Sequence, residues 1–124
     1  MYTIITVAFI MLFIIAHWGA DFVLQTDWEA VNKSHDDSAL LKHTIKYSLV
    51  MSIIIGIFTL MTLPKILLFL TITFLCHTIQ DYYTSRLNAR LWQENRRHDF
   101  FVSVGFDQVL HYLQLFLTYF LITG

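Results

Sequence analysis

Four long apolar segments limit what this chain can fold into. They cover about residues 2–24, 40–63, 65–85 and 100–122, and Pro64 marks a very short connection between the second and third. Each segment is close to the roughly 20 residues that an α-helix needs to cross the hydrocarbon core of a bilayer. Transmembrane β-strands are about half as long and alternate in polarity, so the segments predict helices rather than a β-barrel.

The composition favours a membrane protein over a water-soluble one. Hydrophobic residues make up 56% of the 124 residues and charged residues only 14%. A soluble chain of this length could not hide so much apolar surface from water. The net charge of −1 shows no excess of basic residues, so no nucleic-acid partner is expected. We predict an all-α fold, an integral membrane four-helix bundle, as a single transmembrane domain over residues 1–124 with the lipid bilayer around it.

The distribution of basic residues predicts the orientation of the bundle. With four helices, the two polar stretches 25–39 and 86–99 lie on the same side. Seven of the eight Lys and Arg residues belong to that side, and only Lys65 belongs to the other. Basic residues are enriched in cytoplasmic loops. Both polar stretches are therefore predicted to be cytoplasmic loops, and both termini are predicted to lie outside.

Pairs of His and Asp spaced four residues apart interrupt three of the apolar segments. The pairs are His17 with Asp21, His77 with Asp81, and Asp107 with His111. Residues i and i+4 lie on one face of a helix, about one turn apart. The fourth helix runs opposite to the first and third, and the order of its pair is also reversed. All three His are therefore predicted one turn deeper than the Asp residues, with His43 near the Asp layer and Tyr47 near the His layer.

These side chains predict a metal site inside the bundle, near the cytoplasmic leaflet. Ionisable groups in a membrane cost at least about 2.5–3.5 kcal/mol each, so they are expected to face the bundle interior. Imidazole nitrogens and carboxylate oxygens are ligands of zinc, manganese and iron, in one shell or in two shells that share a carboxylate. The candidate ligands are His17, Asp21, His43, His77, Asp81, Asp107 and His111. A structural network of interhelical hydrogen bonds is the alternative.

The same residues resemble a family of small bacterial and phage membrane proteins, domain-of-unknown-function family 3307. The motifs that carry the resemblance are His17-x-x-x-Asp21-Phe22-x-x-Gln25 with Trp28 and Lys33, His43, His77-x-x-x-Asp81, and Phe106-Asp107-Gln108-x-x-His111. The resemblance spans nearly the whole chain. It implies a multi-pass protein of a bacterial inner membrane, or of a host cell membrane if phage-encoded, and it implies no activity. Relatives are expected to have a lysine shortly after the third-helix Asp, where this chain has Arg86.

Three classes of function fit the predicted cluster. The first is a metal-dependent, hydrolase-like membrane enzyme that acts on a lipid-linked or membrane-embedded substrate, because a bound metal activates water. Its candidate catalytic or substrate-orienting residues are Asp107, Gln108, Gln25 and Lys33. The second is a metal-ion or proton transport or sensing protein without catalysis. The third is b-type haem binding, which does not need an Asp one turn from each His.

Overall fold

The computed structural model describes residues 1–124, and its regular elements are all helical. Helix α1 covers Tyr2–Trp18 and continues directly into a π-helical turn at Gly19–Val23. The other helices are α2 (Asp27–Asn32), α3 (Asp37–Phe58), α4 (Leu63–Gln93) and α5 (Arg97–Thr123). Four of the helical spans are long and apolar enough to cross a membrane. The predicted all-α bundle is therefore confirmed.

The two stretches predicted as loops are partly helical. Helix α4 continues past residue 85 to Gln93 because the sequence there contains no Gly or Pro. The stretch 25–39 contains α2, which begins with a capping box. The Glu29 N–H donates to Thr26 Oγ1 at 3.2 Å, and the Thr26 N–H donates to Glu29 Oε2 at 2.8 Å. We refer to the end of the bundle that carries α2 and the α4–α5 turn as the basic end.

Helix α4 is longer than a bilayer core is thick. Its 31 residues span about 46 Å at helical rise, whereas the hydrocarbon core of a bilayer is about 30 Å thick. The helix thus exceeds the length needed to cross such a core, and its last turns stand beside the start of α5 at the basic end. These turns form one wall of the cavity described below.

Mostly apolar side chains fill the half of the bundle away from the basic end, with Ser52, Thr73 and Thr118 buried among them. Five of the apolar side chains are completely buried: Phe13, Met51, Ile55, Phe69 and Leu115. We call these five residues the apolar plug. The Phe13 ring stacks on the Phe116 ring with centroids 4.8 Å apart. The plug lies between the level of His17, His77 and His111 and the α3–α4 turn.

Gly56 allows α3 and α4 to approach closely beside their connecting turn. A Cβ atom at this position would lie 2.7 Å from Cδ1 and from Cγ1 of Ile66. Small residues permit this kind of close approach between membrane helices. We expect Gly56→Ala to lower the free energy of unfolding in detergent by about 1–3 kcal/mol relative to Gly105→Ala.

Gly105→Ala is the matched control because no atom lies within 4 Å of its Cβ position. It is expected to be neutral or to gain up to about 1 kcal/mol from the higher helix propensity of Ala. In an Ile66→Ala background, which lacks the contacted atoms, Gly56→Ala is expected to cost much less than it does in the wild type. Equal stability of the two single variants would show that the helices are not in close contact at Gly56.

Candidate metal site

Seven His and Asp side chains of the bundle meet at one place, and each of the seven is buried. Their residues are at most 8% exposed. The members are His17, Asp21, His43, His77, Asp81, Asp107 and His111. The structure thus brings together every residue predicted as a ligand, and none of the three spaced pairs faces the outer surface of the bundle.

Four of these residues converge from three helices and form what we call the four-ligand group. The group consists of Asp21, His43, His77 and Asp81, whose ligand atoms all lie within 4.8 Å of one another. His43 Nε2 is 2.9 Å from Asp21 Oδ1 and 3.3 Å from Asp81 Oδ2. His77 Nε2 is 3.3 Å from His43 Nε2. It is also 3.6 Å from Asp21 Oδ1 and 3.5 Å from Asp81 Oδ2.

These separations fit a single shared metal ion. Donor atoms bound tetrahedrally to zinc at about 2.0–2.1 Å lie about 3.3–3.4 Å from one another. Five of the six separations within the four-ligand group range from 2.9 to 3.6 Å, and the sixth, between the carboxylate oxygens of Asp21 and Asp81, is at most 4.8 Å. Two imidazole nitrogens and two carboxylate oxygens are also a donor set that divalent transition metals accept. The group therefore has both the spacing and the chemistry to hold such an ion.

A second set of ligands shares Asp81 with the first, and we call it the three-ligand group. It consists of Asp81, Asp107 and His111, whose ligand atoms lie within 4.8 Å of one another. His111 Nε2 is 3.2 Å from Asp81 Oδ1 and 3.2 Å from Asp107 Oδ2. Asp81 thus presents Oδ2 to the four-ligand group and Oδ1 to the three-ligand group.

His17 lies beside both groups but belongs to neither. Its Nδ1 is 2.8 Å from the Tyr47 hydroxyl, and its Nε2 is 2.6 Å from Gln108 Oε1. An amide oxygen only accepts hydrogen bonds, so in this arrangement Nε2 donates to Gln108 and the Tyr47 hydroxyl donates to Nδ1. Both ring nitrogens are therefore engaged by protein groups. The geometry suits His17 to positioning Gln108, whose amide Nε2 is 3.4 Å from Asp107 Oδ2.

Lys33 reaches the cluster from the segment that follows α2. Its Nζ donates to Asp81 Oδ2 at 2.9 Å, and its side chain is 19% exposed. Burial disfavours the charged ammonium, but the negative charges of Asp81 and Asp21 outweigh this effect and raise the pKa of Lys33 above its usual value. The sequence predicts Lys33 as a substrate-orienting candidate at the mouth of the site. In the structure its ammonium contacts a candidate ligand directly.

The π-helical turn at Gly19–Val23 carries Asp21 into the cluster. The Leu24 N–H donates to the Gly19 carbonyl at 3.0 Å, which is the i+5 spacing of a π-helix. Such turns inside longer helices are frequent at functional sites. Asp21 Oδ2 nevertheless lies 3.7 Å from His17 Nε2. His17 and Asp21 are therefore close together, as predicted, although the backbone between them is not a regular α-helix.

Helix α2 is held against α3 by an ion pair beside the cluster. Lys46 Nζ donates to both carboxylate oxygens of Glu29, at 2.6 Å and 2.9 Å. Burial raises the pKa of Glu29, but the hydrogen bonds from Lys46 and from the Thr26 backbone outweigh it, and the pKa lies below its usual value. A carboxyl group with a lowered folded-state pKa stabilises the fold above its unfolded pKa, and this contribution is lost as the pH falls.

We therefore expect α2 to loosen as the pH falls below the ordinary Glu value of 4.5. Hydrogen–deuterium exchange of the amides of residues 27–33 should rise severalfold in the wild type after correction for intrinsic rates. Glu29→Gln should show fast exchange at every pH, because its amide cannot form the ion pair. Asp27→Asn, an exposed residue of the same helix, should behave like the wild type. Slow exchange in Glu29→Gln would contradict a role for the ion pair.

A cavity of about 720 Å³ opens beside the cluster at the basic end. Asp21, Asp107 and Lys33 belong to its lining, whereas His43 and His77 do not. Its uncharged polar lining includes Gln25, Ser85, Asn88 and Gln108. Its apolar lining includes Phe22, Trp92, Phe100, Phe101 and Val104. The cavity thus combines a charged end with apolar walls, as a pocket for an amphiphile would.

Nearly the whole chain matches a known protein family. Residues 9–124 match a family described as protein of unknown function (DUF3307). The chain belongs to this family. The resemblance predicted from the sequence motifs is therefore confirmed. No functionally curated protein and no solved structure matches the chain significantly.

Two cavity residues of this DUF3307 protein were not predicted from its sequence. Ser85 and Asn88 follow Asp81 in α4 and line the cavity. The signal was present, because positions i+4 and i+7 lie on the same helical face as position i. Recognising it required the knowledge that α4 continues to Gln93. The capping box of α2, Thr26-x-x-Glu29, was likewise a readable signal for a helix within the predicted loop.

Proposed function

We propose that this member of the DUF3307 family is a metal-dependent membrane hydrolase. The observation that carries the proposal is the four-ligand group, whose donor separations cluster near those expected around one ion. The two imidazole Nε2 atoms are 3.3 Å apart, and together with the two carboxylates they place four potential donor atoms within 4.8 Å of one another, which suits a metal ion. The adjoining cavity supports an enzyme, because Asp21 and Asp107 of the cluster belong to its lining and a substrate in the cavity would contact them.

The proposal places the protein in a bacterial inner membrane, or in a host cell membrane if phage-encoded, with the basic end in the cytoplasm. The four spans have a suitable length and apolar character. The seven-to-one division of Lys and Arg residues supports the orientation. The cavity would then open near the cytoplasmic leaflet. A lipid-linked or membrane-embedded substrate could enter with its chain against the apolar lining.

The chain's own residues have separable roles in this proposal. A divalent metal, when bound, makes water more acidic and polarises the electrophile. The four-ligand group would hold the ion, and Lys33 would orient Asp81 through its hydrogen bond at 2.9 Å. Gln25 and Gln108 line the cavity, where their amides can orient a substrate. Asp107 Oδ1 has no hydrogen-bond partner, so it can take a proton from the attacking water and return it to the leaving group.

Transport of a metal ion or proton is the second candidate. Buried polar groups do continue beyond the cluster, since Gln114 Nε2 donates to Thr118 Oγ1 at 2.9 Å and to Thr73 Oγ1 at 3.3 Å. The apolar plug lies on the same side of the cluster, and all five of its side chains are completely buried. A continuous polar route would have to pass this plug. We therefore favour hydrolysis over transport.

Lipid analysis of cells that produce the protein tests the proposal. Extracts from cells with the wild type and with His77→Ala are compared by mass spectrometry, with equal protein levels in the membrane. We expect at least one lipid-linked species to be depleted only by the wild type. The depletion should recur in proteoliposomes made from the same lipids and should stop when a chelator is added. Identical lipid profiles would contradict hydrolysis of a membrane lipid.

A further inference from the structure

We propose that the three-ligand group is a second divalent-metal site and that the two ions act together on a phosphate ester carried by a lipid. This inference rests on the proposed function, because it needs the first ion in the four-ligand group. The members of the second site are Asp81, Asp107 and His111. Zinc sites that carry out catalysis commonly have three protein ligands and leave a position for water or substrate.

Two carboxylates are placed to connect the sites. Asp81 Oδ2 is 3.3 Å from His43 Nε2, and Asp81 Oδ1 is 3.2 Å from His111 Nε2. The two carboxylate oxygens of Asp21 also point to different groups, although one of the distances is longer. Its Oδ1 is 2.9 Å from His43 Nε2, and its Oδ2 is 4.0 Å from His111 Nε2. Shared carboxylates would hold two ions near each other, as in two-metal hydrolases with ions about 3.5–4 Å apart.

Each group reaches the cavity through one carboxylate, Asp21 for the four-ligand group and Asp107 for the three-ligand group. The imidazoles of both groups are absent from the cavity lining and completely buried. Asp107 Oδ1 also has no hydrogen-bond partner within the protein. A substrate that enters the cavity would therefore approach both groups. The four-ligand group already has four donors from the protein, whereas the three-ligand group has three and leaves a position for water or substrate.

The charge of the cluster identifies the substrate class. Three carboxylates and the Lys33 ammonium leave a charge of −2 when the imidazoles are neutral. One divalent cation would neutralise this charge, and a second would leave a charge of +2. Uncompensated charge is costly in a buried, low-dielectric site. The dianion of a phosphate monoester would restore neutrality, and its lipid portion would lie against Phe100 and Phe101 in the cavity.

The proposed reaction is hydrolysis of the ester. The oxygen of a water molecule forms a bond to phosphorus, and the bond from phosphorus to the lipid oxygen breaks. One proton of the water ends on the lipid oxygen. The products are a lipid alcohol and inorganic phosphate, and no oxidant or further reactant is consumed.

Metal stoichiometry tests this inference separately from the proposed function. Detergent-purified protein is dialysed against Mn²⁺ at neutral pH, with and without inorganic phosphate, and its metal content is measured by elemental analysis. We expect two equivalents in the wild type, with phosphate tightening the second by at least tenfold. His111→Gln and Asp107→Asn should each retain one equivalent. Asp99→Asn, the same chemical change at a half-exposed residue of α5, should retain two.

Each outcome has a defined meaning. One equivalent in the wild type overturns the second site and leaves the proposed function standing. No bound metal overturns the proposed function, and the second site fails with it. Two equivalents in both His111→Gln and Asp107→Asn would exclude the three-ligand group as the second site. A second equivalent that is indifferent to phosphate would overturn the phosphate-ester assignment. Size-exclusion profiles identify variants that fail to fold. If either His111→Gln or Asp107→Asn fails to fold, the other variant alone provides the test.

Discussion

Asp81→Asn is expected to lower the affinity of the protein for divalent metal by more than about 100-fold. Loss of a group that only orients a ligand already costs about 10–100-fold, and Asp81 is a candidate ligand of both groups. Its Oδ2 lies 3.5 Å from His77 Nε2, and its Oδ1 lies 3.2 Å from His111 Nε2. An amide in its place has almost the same shape but carries no charge and only one acceptor atom. Equilibrium dialysis of the purified variant against a zinc buffer measures the effect.

Two controls separate this effect from general damage. Asp99→Asn makes the same chemical change at a half-exposed residue and should bind metal like the wild type. Lys33→Gln removes the ammonium that contacts Asp81 at 2.9 Å but leaves every candidate ligand in place. Its affinity for metal should stay equal to or above that of the wild type, because the substitution removes a positive charge that lies beside the ligand atoms. A folded Asp81→Asn protein that binds metal as tightly as the wild type would show that Asp81 is not a ligand.

A cysteine placed at Glu94 is expected to escape a membrane-impermeant thiol reagent in intact cells. Glu94 lies in the α4–α5 turn, at the end that collects seven of the eight basic residues. Cytoplasmic loops are enriched in such residues, so the turn should be shielded by the membrane. The substitution is made in a Cys76→Ala background, because Cys76 is the only native cysteine. Labelling should rise from near zero to near completion when the cells are opened.

Thr62→Cys is the matched control at the opposite end of the bundle. Thr62 is an exposed residue immediately before α4. It should be labelled in intact cells, because the α3–α4 turn would lie outside. The reverse pattern, with Glu94→Cys labelled and Thr62→Cys protected, would contradict the orientation. The cavity would then open on the outer side, and the proposed substrate would have to come from the outer leaflet.

The fold was predictable because its main signals are local or depend only on composition. Four apolar segments of membrane-spanning length define the helices without any knowledge of their packing. The positions of His17, His77 and His111 relative to their Asp partners needed one further fact, the direction of each helix. The spacing of four residues then places each His and its Asp partner on one face of a helix, about one turn apart. Those residues do meet in the structure, and Tyr47 stands beside the His residues, with its ring stacked on the ring of His77 at 3.8 Å.

The internal arrangement of the cluster depends on rotamers and packing, which the sequence does not display. Nothing in the spacing separates His17, which is engaged by Tyr47 and Gln108, from the His residues that face carboxylates. The assignment of one Asp81 oxygen to each group also requires three helices to be placed to within an ångström. The π-helical turn at Gly19–Val23 has no recognisable sequence signal in this chain. Lys33 reaches Asp81 only because α2 folds back against α3.

The metal content of the purified protein tests the central claim most directly. Wild-type protein is prepared in detergent without added metal, and one half is treated with a chelator and then reloaded at neutral pH, where the ligands are largely deprotonated. At least one equivalent of zinc, manganese or iron is predicted in the untreated half, and loss and recovery of that metal are predicted in the other. Less than about a tenth of an equivalent, with none recovered on reloading, would contradict the claim. The cluster would then be better explained as a structural hydrogen-bond network or a proton relay.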